Sequence, residues 1–236
     1  MTLGHKVRAA VLAAGLASAA SGGAADDSVE FPAPVEAWRS LIERKAAGTG
    51  VPVDFLLTWV RYESYGNPCA TGIPGKEAGI AQTYHPDDDR YGATFDDLRA
   101  PCVPGKQEQA RALTAAEKDL QVSSLVALVK GARDAARAQM SRAGVTWAES
   151  SPDFWKLVKL RHALPAWGAD YLVPCGKDLG HPPATFAEFR EWIEGLSEEQ
   201  VIAINRHVKP WASLAQRKRL FDAADKTGKV VAAASE

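Results

Sequence analysis

Long apolar runs, basic clusters and paired cysteines are scarce in this chain, and each scarcity closes a class of function. The longest apolar stretch, Ala9 to Ala20, is mostly alanine. It falls short of the roughly 20 residues that a bilayer-crossing helix needs, so no stable membrane span is expected. Lysine and arginine total 28 against 29 acidic residues, a formal net charge of −1, and no long basic run interrupts the mixture. That argues against nucleic acid as the main partner. The three cysteines, Cys69, Cys102 and Cys175, fit no zinc spacing. No motif suggests a metal, nucleotide or flavin, so no cofactor is expected. No internal repeat is visible. What remains is 46% apolar and 24% charged, ordinary for a globular chain with a real core.

The first residues have a character of their own. His5, Lys6 and Arg8 precede the Ala9–Ala20 stretch, small residues continue to Ala25, and Asp26-Asp27 opens a polar chain. A basic head, a short apolar run and a small-residue zone form the order of a secretory signal. Residues 1–25 are therefore expected to be a signal peptide or an alanine-rich leader, and the protein to be exported, periplasmic or extracellular. Export would permit one disulfide. Cys69 and Cys102 both lie in loop-like sequence and are the favoured pair; three free, buried thiols are the alternative.

The rest of the chain has mainly helical spacing. Pro34–Ala47 carries Val35, Trp38, Leu41 and Ile42 on one face, and Gly48-Thr49-Gly50 breaks the pattern. A second helix starts at Pro52, buries Phe55, Leu56, Trp59 and Val60, and stops before Gly66-Asn67-Pro68. Cys69 to about Leu113 is irregular, with room for a short element near Thr94–Arg99. Thr114-Ala-Ala-Glu117 matches a capping box, as do Thr185-Phe-Ala-Glu188 and Ser197-Glu-Glu-Gln200. The first box predicts a helix to about Ala143. Ser151-Pro152 opens another, limited by Pro165. A last amphipathic helix is expected over Pro210–Ala224, then a flexible tail over 226–236. Trp147, Trp155, Trp167, Trp192 and Trp211 are expected in the core rather than on a binding surface.

Glu63 stands at the C-terminal end of the second helix, beside Trp59 and Tyr62. The negative end of a helix dipole and apolar surroundings both disfavour a carboxylate. The sequence therefore predicts a carboxyl held protonated, which is what protonation of a glycosidic leaving group requires. Downstream, Gly79-Ile80-Ala81-Gln82 offers a flexible backbone and a neutral amide. Glu63-Ser64, Asn67-Pro68 and Gly79-Ile80-Ala81-Gln82 together resemble the soluble lytic transglycosylase family of the lysozyme-like superfamily. The resemblance covers about 35 residues, Val51 to Tyr84. The family's methionine before the glutamine is Ala81 here, and its Ala-Tyr-Asn-x-Gly motif is absent. Leu160 to Trp167 occupies a comparable stretch downstream, and His162 or Tyr171 are candidates for the cleft.

The resemblance implies a mainly α, lysozyme-like single domain over 30–225, with a long irregular segment after the catalytic helix. It implies Glu63 as the catalytic acid and base, Ser64 orienting Glu63 or a substrate N-acetyl group, and Gln82 in the sugar groove. Asn67, Gly79 and His162 complete the expected substrate contacts. The expected partner is the glycan strand of peptidoglycan, acted on by a monomer. The implied reaction cuts the MurNAc–GlcNAc bond and closes a 1,6-anhydro ring. Two alternatives accompany it. One is a goose-type-like hydrolase with water positioned by Asp87, Asp88, Asp89 or Asp96. The other is a non-catalytic glycan-binding or phage-particle component.

Overall fold

The computed structural model describes residues 29–72, 75–84, 91–106, 108–163 and 165–233. The expected leader, residues 1–25, lies outside them, as does Asp87-Asp88-Asp89. The chain is mainly α. The first predicted helix is two, α1 (Ala33–Glu36) and α2 (Arg39–Ala46), broken at Trp38. Trp38 is buried there and its indole Nε1 donates to Gly66 O at 3.0 Å. α3 (Val53–Glu63) follows, with Pro52 at its N-cap, as the sequence predicts. Its residues Phe55 to Val60 are all buried. A helix buried all round belongs at the centre of a fold, and α3 presents its last residue, Glu63, from that centre.

The irregular segment contains a two-stranded antiparallel hairpin, β1 (Glu77–Ala78) and β2 (Thr83–Tyr84), in which Glu77 faces Tyr84 and Ala78 faces Thr83. A short helix α4 (Phe95–Arg99) starts at a Thr94–Asp97 capping box. Ala78, Ala93 and Leu98 form a small apolar cluster under the hairpin, separate from the main core. Cys69 and Cys102 are joined, with Cα atoms 5.6 Å apart, while Cys175 is free and buried.

The helical body follows. α5 (Ala115–Ala143) begins at the Thr114–Glu117 box and ends on left-handed Gly144. α6 spans Pro152–Ala163 and α7 spans Pro165–Leu179. α8 (Phe186–Gly195) starts at Thr185, although Glu188 reaches back to the Ala184 N–H rather than closing the box on Thr185. α9 (Glu198–Ile204) carries the Ser197–Gln200 box, and a 3-10 turn covers Arg206–Trp211. α10 runs over Leu214–Gly228 and α11 over Val230–Ala233. One apolar cluster links residues from Phe31 to Val231, with Phe55 against Trp155 at 4.8 Å between ring centroids and Phe186 against Phe221 at 5.3 Å.

Pro165 limits α6 as expected and also opens α7, since proline suits a first helical position, and Tyr171, Leu172 and Cys175 bury one side of that helix. Two further expectations need correction. The last long helix begins at Leu214 rather than Pro210, because Ser213 caps it and Pro210 belongs to the 3-10 turn. The expected tail is ordered as helix to Ala233, with Thr227, Val230 and Val231 buried; residues 234–236 lie outside the described ones. Trp147 and Trp155 are buried, and Trp192 and Trp211 pack partly against the core. The side chain of Trp167 lies outside the described residues.

Candidate active site

α3 ends because its next residues leave the helical region. Ser64 has φ −139°, Tyr65 φ +55° and Gly66 φ +80°. A Cβ on Gly66 would run into the backbone of Pro34, so only glycine fits that turn. Glu63 is thereby left at the end of a buried helix with 22% of its side chain exposed.

What it meets comes from α6. The Lys159 ammonium donates to Glu63 Oε1, and His162 Nε2 lies 3.7 Å from the same oxygen. Lys159 and His162 are three residues apart and share a helix face. Trp59 joins the three groups. Lys159 Nζ sits 4.0 Å from the centre of an indole ring, and the His162 ring packs against Trp59 at 4.7 Å between centroids. Lys159 is only 5% exposed. A buried ammonium needs a paired charge, and Glu63 supplies it while the indole face adds a cation–π contact.

The electrostatics reverse the expectation for Glu63. Burial pushes its carboxyl up, but the Lys159 charge, His162 and the hydrogen bond from Lys159 outweigh burial and hold it below the ordinary carboxylate value. Glu63 therefore rests as a carboxylate. The helix-end and apolar effects foreseen from sequence are overridden by a cation 96 residues away. His162 moves the other way. Burial, reinforced by Lys159 against the pull of Glu63, lowers it to about 4, so it is neutral near pH 7.

Of the residues expected in a sugar groove, the structure brings His162 to Glu63 and places the others in internal roles. Ser64 is buried and donates to Ile80 O at 2.8 Å, with Val60 O at 3.2 Å, while accepting from the Gly66 N–H. It ties the end of α3 to the hairpin and makes no bond to Glu63. Asn67 accepts from the Cys69 N–H at 2.9 Å, closing a local turn, and donates at 3.0 Å to Glu108 O, 41 residues along the chain. Gly79 does adopt positive φ, +76°. The close approach it permits is to Gln121, whose Oε1 would lie 2.6 Å from an added Cβ. Gln82 is 2% exposed, and its amide donates to Gly79 O at 2.8 Å and Ala70 O at 3.1 Å. Tyr171 is buried and donates to Val201 O at 2.7 Å, so it does not line a cleft. Asp96 is exposed on α4.

Two residues that matter were missed. Lys159 carried one signal, shared with Lys156: a lysine inside the otherwise apolar run Phe154–Leu160, where a cation must find a partner. Gln121 is buried on α5, accepts from the Ile80 N–H at 3.0 Å and donates to Leu98 O at 2.8 Å. It fixes the Gly79–Gln82 turn relative to α4.

An open depression of about 450 Å³ lies beside the disulfide, lined by Arg99 and Cys102 to Lys106. It shares no residue with the Glu63 group and holds no acid–base pair. Arg161 flanks His162 on α6, with a buried Nε that has no hydrogen-bond partner among the described residues. Chemically, the Glu63–Lys159–His162 group offers one carboxylate for proton transfer and a cation to stabilise its charged form. Among the described residues no cluster of His, Cys, Asp and Glu fit to hold a metal occurs. No family model, curated protein or solved structure matches this chain.

Proposed function

We propose that this protein cleaves the glycan strands of peptidoglycan as a lytic transglycosylase of lysozyme-like fold, with Glu63 as its acid and base. The observation that carries the reading is a partly exposed carboxylate at the end of a central helix, clasped by Lys159 and His162. The proposed reaction moves one proton twice. Protonated Glu63 gives its proton to the glycosidic oxygen between MurNAc and GlcNAc as that C–O bond breaks. The Glu63 carboxylate then takes the proton of the MurNAc C6 hydroxyl as that oxygen bonds to C1. Atoms balance without water, and Glu63 ends as it began. Lys159 makes the protonated form scarcer at neutral pH and a stronger donor once formed.

Glu63→Gln removes the titratable proton and leaves the Lys159 ammonium an amide oxygen in place of a charge, so its Tm is measured beside its activity. Loss of turbidity by purified cell walls should slow by at least about a hundredfold, the low end of general acid catalysis. Near-normal turnover would end the mechanism. One observation favours a second reading, a glycan-binding protein without cleavage: a Lys–Glu pair of this kind also serves purely structural ends. Under that reading the wild-type protein would sediment with cell walls and release no sugar.

A further inference from the structure

Among the described residues, the large apolar or aromatic side chains most exposed are Tyr62, Tyr65 and Leu214, and two of these three flank Glu63. Tyr65 is 55% exposed and Tyr62 47%. Neither phenol hydroxyl has a hydrogen-bond partner among the described residues. An exposed tyrosine offers water an apolar ring with a polar edge, the combination that suits a wet contact surface.

Tyr65 also has an uncommon backbone. Its φ of +55° is left-handed, a region that bulky side chains rarely enter and glycine enters freely. The turn itself does not need the ring. Its shape is set by the Ser64 hydroxyl, by Gly66 against Pro34, and by the Trp38 indole on Gly66 O. Position 65 requires a positive φ, and the chain spends a tyrosine there. Such an outlier points to function when the surrounding structure over-determines it. Tyr62 stands on the last turn of α3, with the Arg61 guanidinium 5.9 Å from its ring centre.

We propose that Tyr65, with Tyr62, is a stacking platform for a pyranose ring of the glycan beside Glu63. This rests on the glycan-cleaving reading and adds a binding surface to it. A pyranose presents an apolar C–H face and a rim of hydroxyls. Tyrosine matches both, with a rigid ring that loses little entropy and a hydroxyl at its edge. The fixed turn holds the ring ready before the sugar arrives, which lowers the cost of binding.

The test uses sedimentation with purified peptidoglycan sacculi, in the Glu63→Gln background so that nothing is cleaved. E63Q should bind. Adding Tyr65→Gly should weaken binding by about tenfold or more, while its Tm is unchanged or raised by up to about 4 °C as the strained φ is relaxed. Tyr65→Phe should bind nearly as well as tyrosine. Tyr62→Ala should weaken binding to a lesser extent. Equal binding by E63Q and E63Q/Y65G would overturn the platform and leave the cleavage reading intact. A Tm loss in Y65G that accounts for its weaker binding would also overturn it, because the ring would then be structural. If E63Q does not sediment and the wild type releases no sugar, the cleavage reading falls and the platform with it.

Discussion

Replacing Lys159 by methionine keeps the volume beside Trp59 and removes the ammonium. Glu63 would then feel burial without its main opponent, and its carboxyl would move up instead of down. In the wild type, a lowered carboxyl contributes stability that is complete above its ordinary 4.5 and is lost as pH falls through the lower folded value. Lys159→Met forfeits that contribution. The stability gap between the two proteins should be on the order of 1–3 kcal/mol near pH 7 and should close as pH falls through the lowered folded value of Glu63. Activity should respond in a linked way. If protonated Glu63 is the acid, wild-type turnover rises as pH falls toward its depressed value, and Lys159→Met moves that limb to higher pH with a lower maximum. A pH–rate profile unchanged by the substitution would sink Glu63 as the titrating acid. His162 gives a separate signal. A histidine lowered from 6.5 to about 4 is neutral when folded, so its contribution is full above pH 6.5 and is lost as pH falls toward 4. That loss is on the order of 3 kcal/mol. Denaturant midpoints measured across this range should decline in the wild type and flatten in His162→Gln.

At the scale of elements, the segment after α3 has little apolar support of its own. Beneath the hairpin and α4, three buried residues form a cluster apart from the main core. The Cys69–Cys102 bridge closes 33 residues of sequence over this segment. In the chain-entropy model a loop of that size stabilises by about 3–4 kcal/mol. Cys69→Ala/Cys102→Ala should therefore lower the denaturant midpoint by a corresponding amount. It should also loosen the Gly79–Gln82 turn, seen as faster amide exchange there than in α5. Midpoints that match with and without the bridge would show that Gln121 and Ser64 suffice to hold the turn. These elements also show what a sequence can disclose. Capping boxes at Thr114 and Ser197 are local chemistry, with both partners three residues apart, and their helices start where the boxes stand. α7 was not legible, because Pro165, Gly168, Pro174 and Gly176 all look like breakers, and only burial of Tyr171, Leu172 and Cys175 outweighs them. The Glu63 site was half legible. Its carboxylate and helix end are local features, whereas Lys159 and His162 reach it from another helix. The inward roles of Ser64 and Gln82 depend on Ile80 and Ala70, which no spacing rule brings together.

Across the whole molecule, the described residues place one carboxylate where two are often needed. Hydrolysis of a glycosidic bond usually uses a second acid to activate water on the far face of the sugar or to attack the anomeric carbon. The ionisable groups that act on Glu63 among the described residues are Lys159 and His162. Neither is a carboxylate, and neutral His162 packs against Trp59. Around them one apolar cluster spans the chain from Phe31 to Val231 and keeps α3 and α6 in fixed relation. An internal hydroxyl close to the anomeric carbon needs less help than water, because proximity replaces the entropy cost of bringing a second reactant. On the proposed cleavage, the major products from purified sacculi should therefore carry 1,6-anhydromuramoyl ends, identified by mass spectrometry. Alanine substitutions at Asp87, Asp88, Asp89 and Asp96, made one at a time, should each retain most activity. Reducing ends, together with loss of activity in one of those four variants, would make the enzyme a two-carboxylate hydrolase. Glu63 would then remain the proton donor, and water rather than the C6 hydroxyl would complete the reaction.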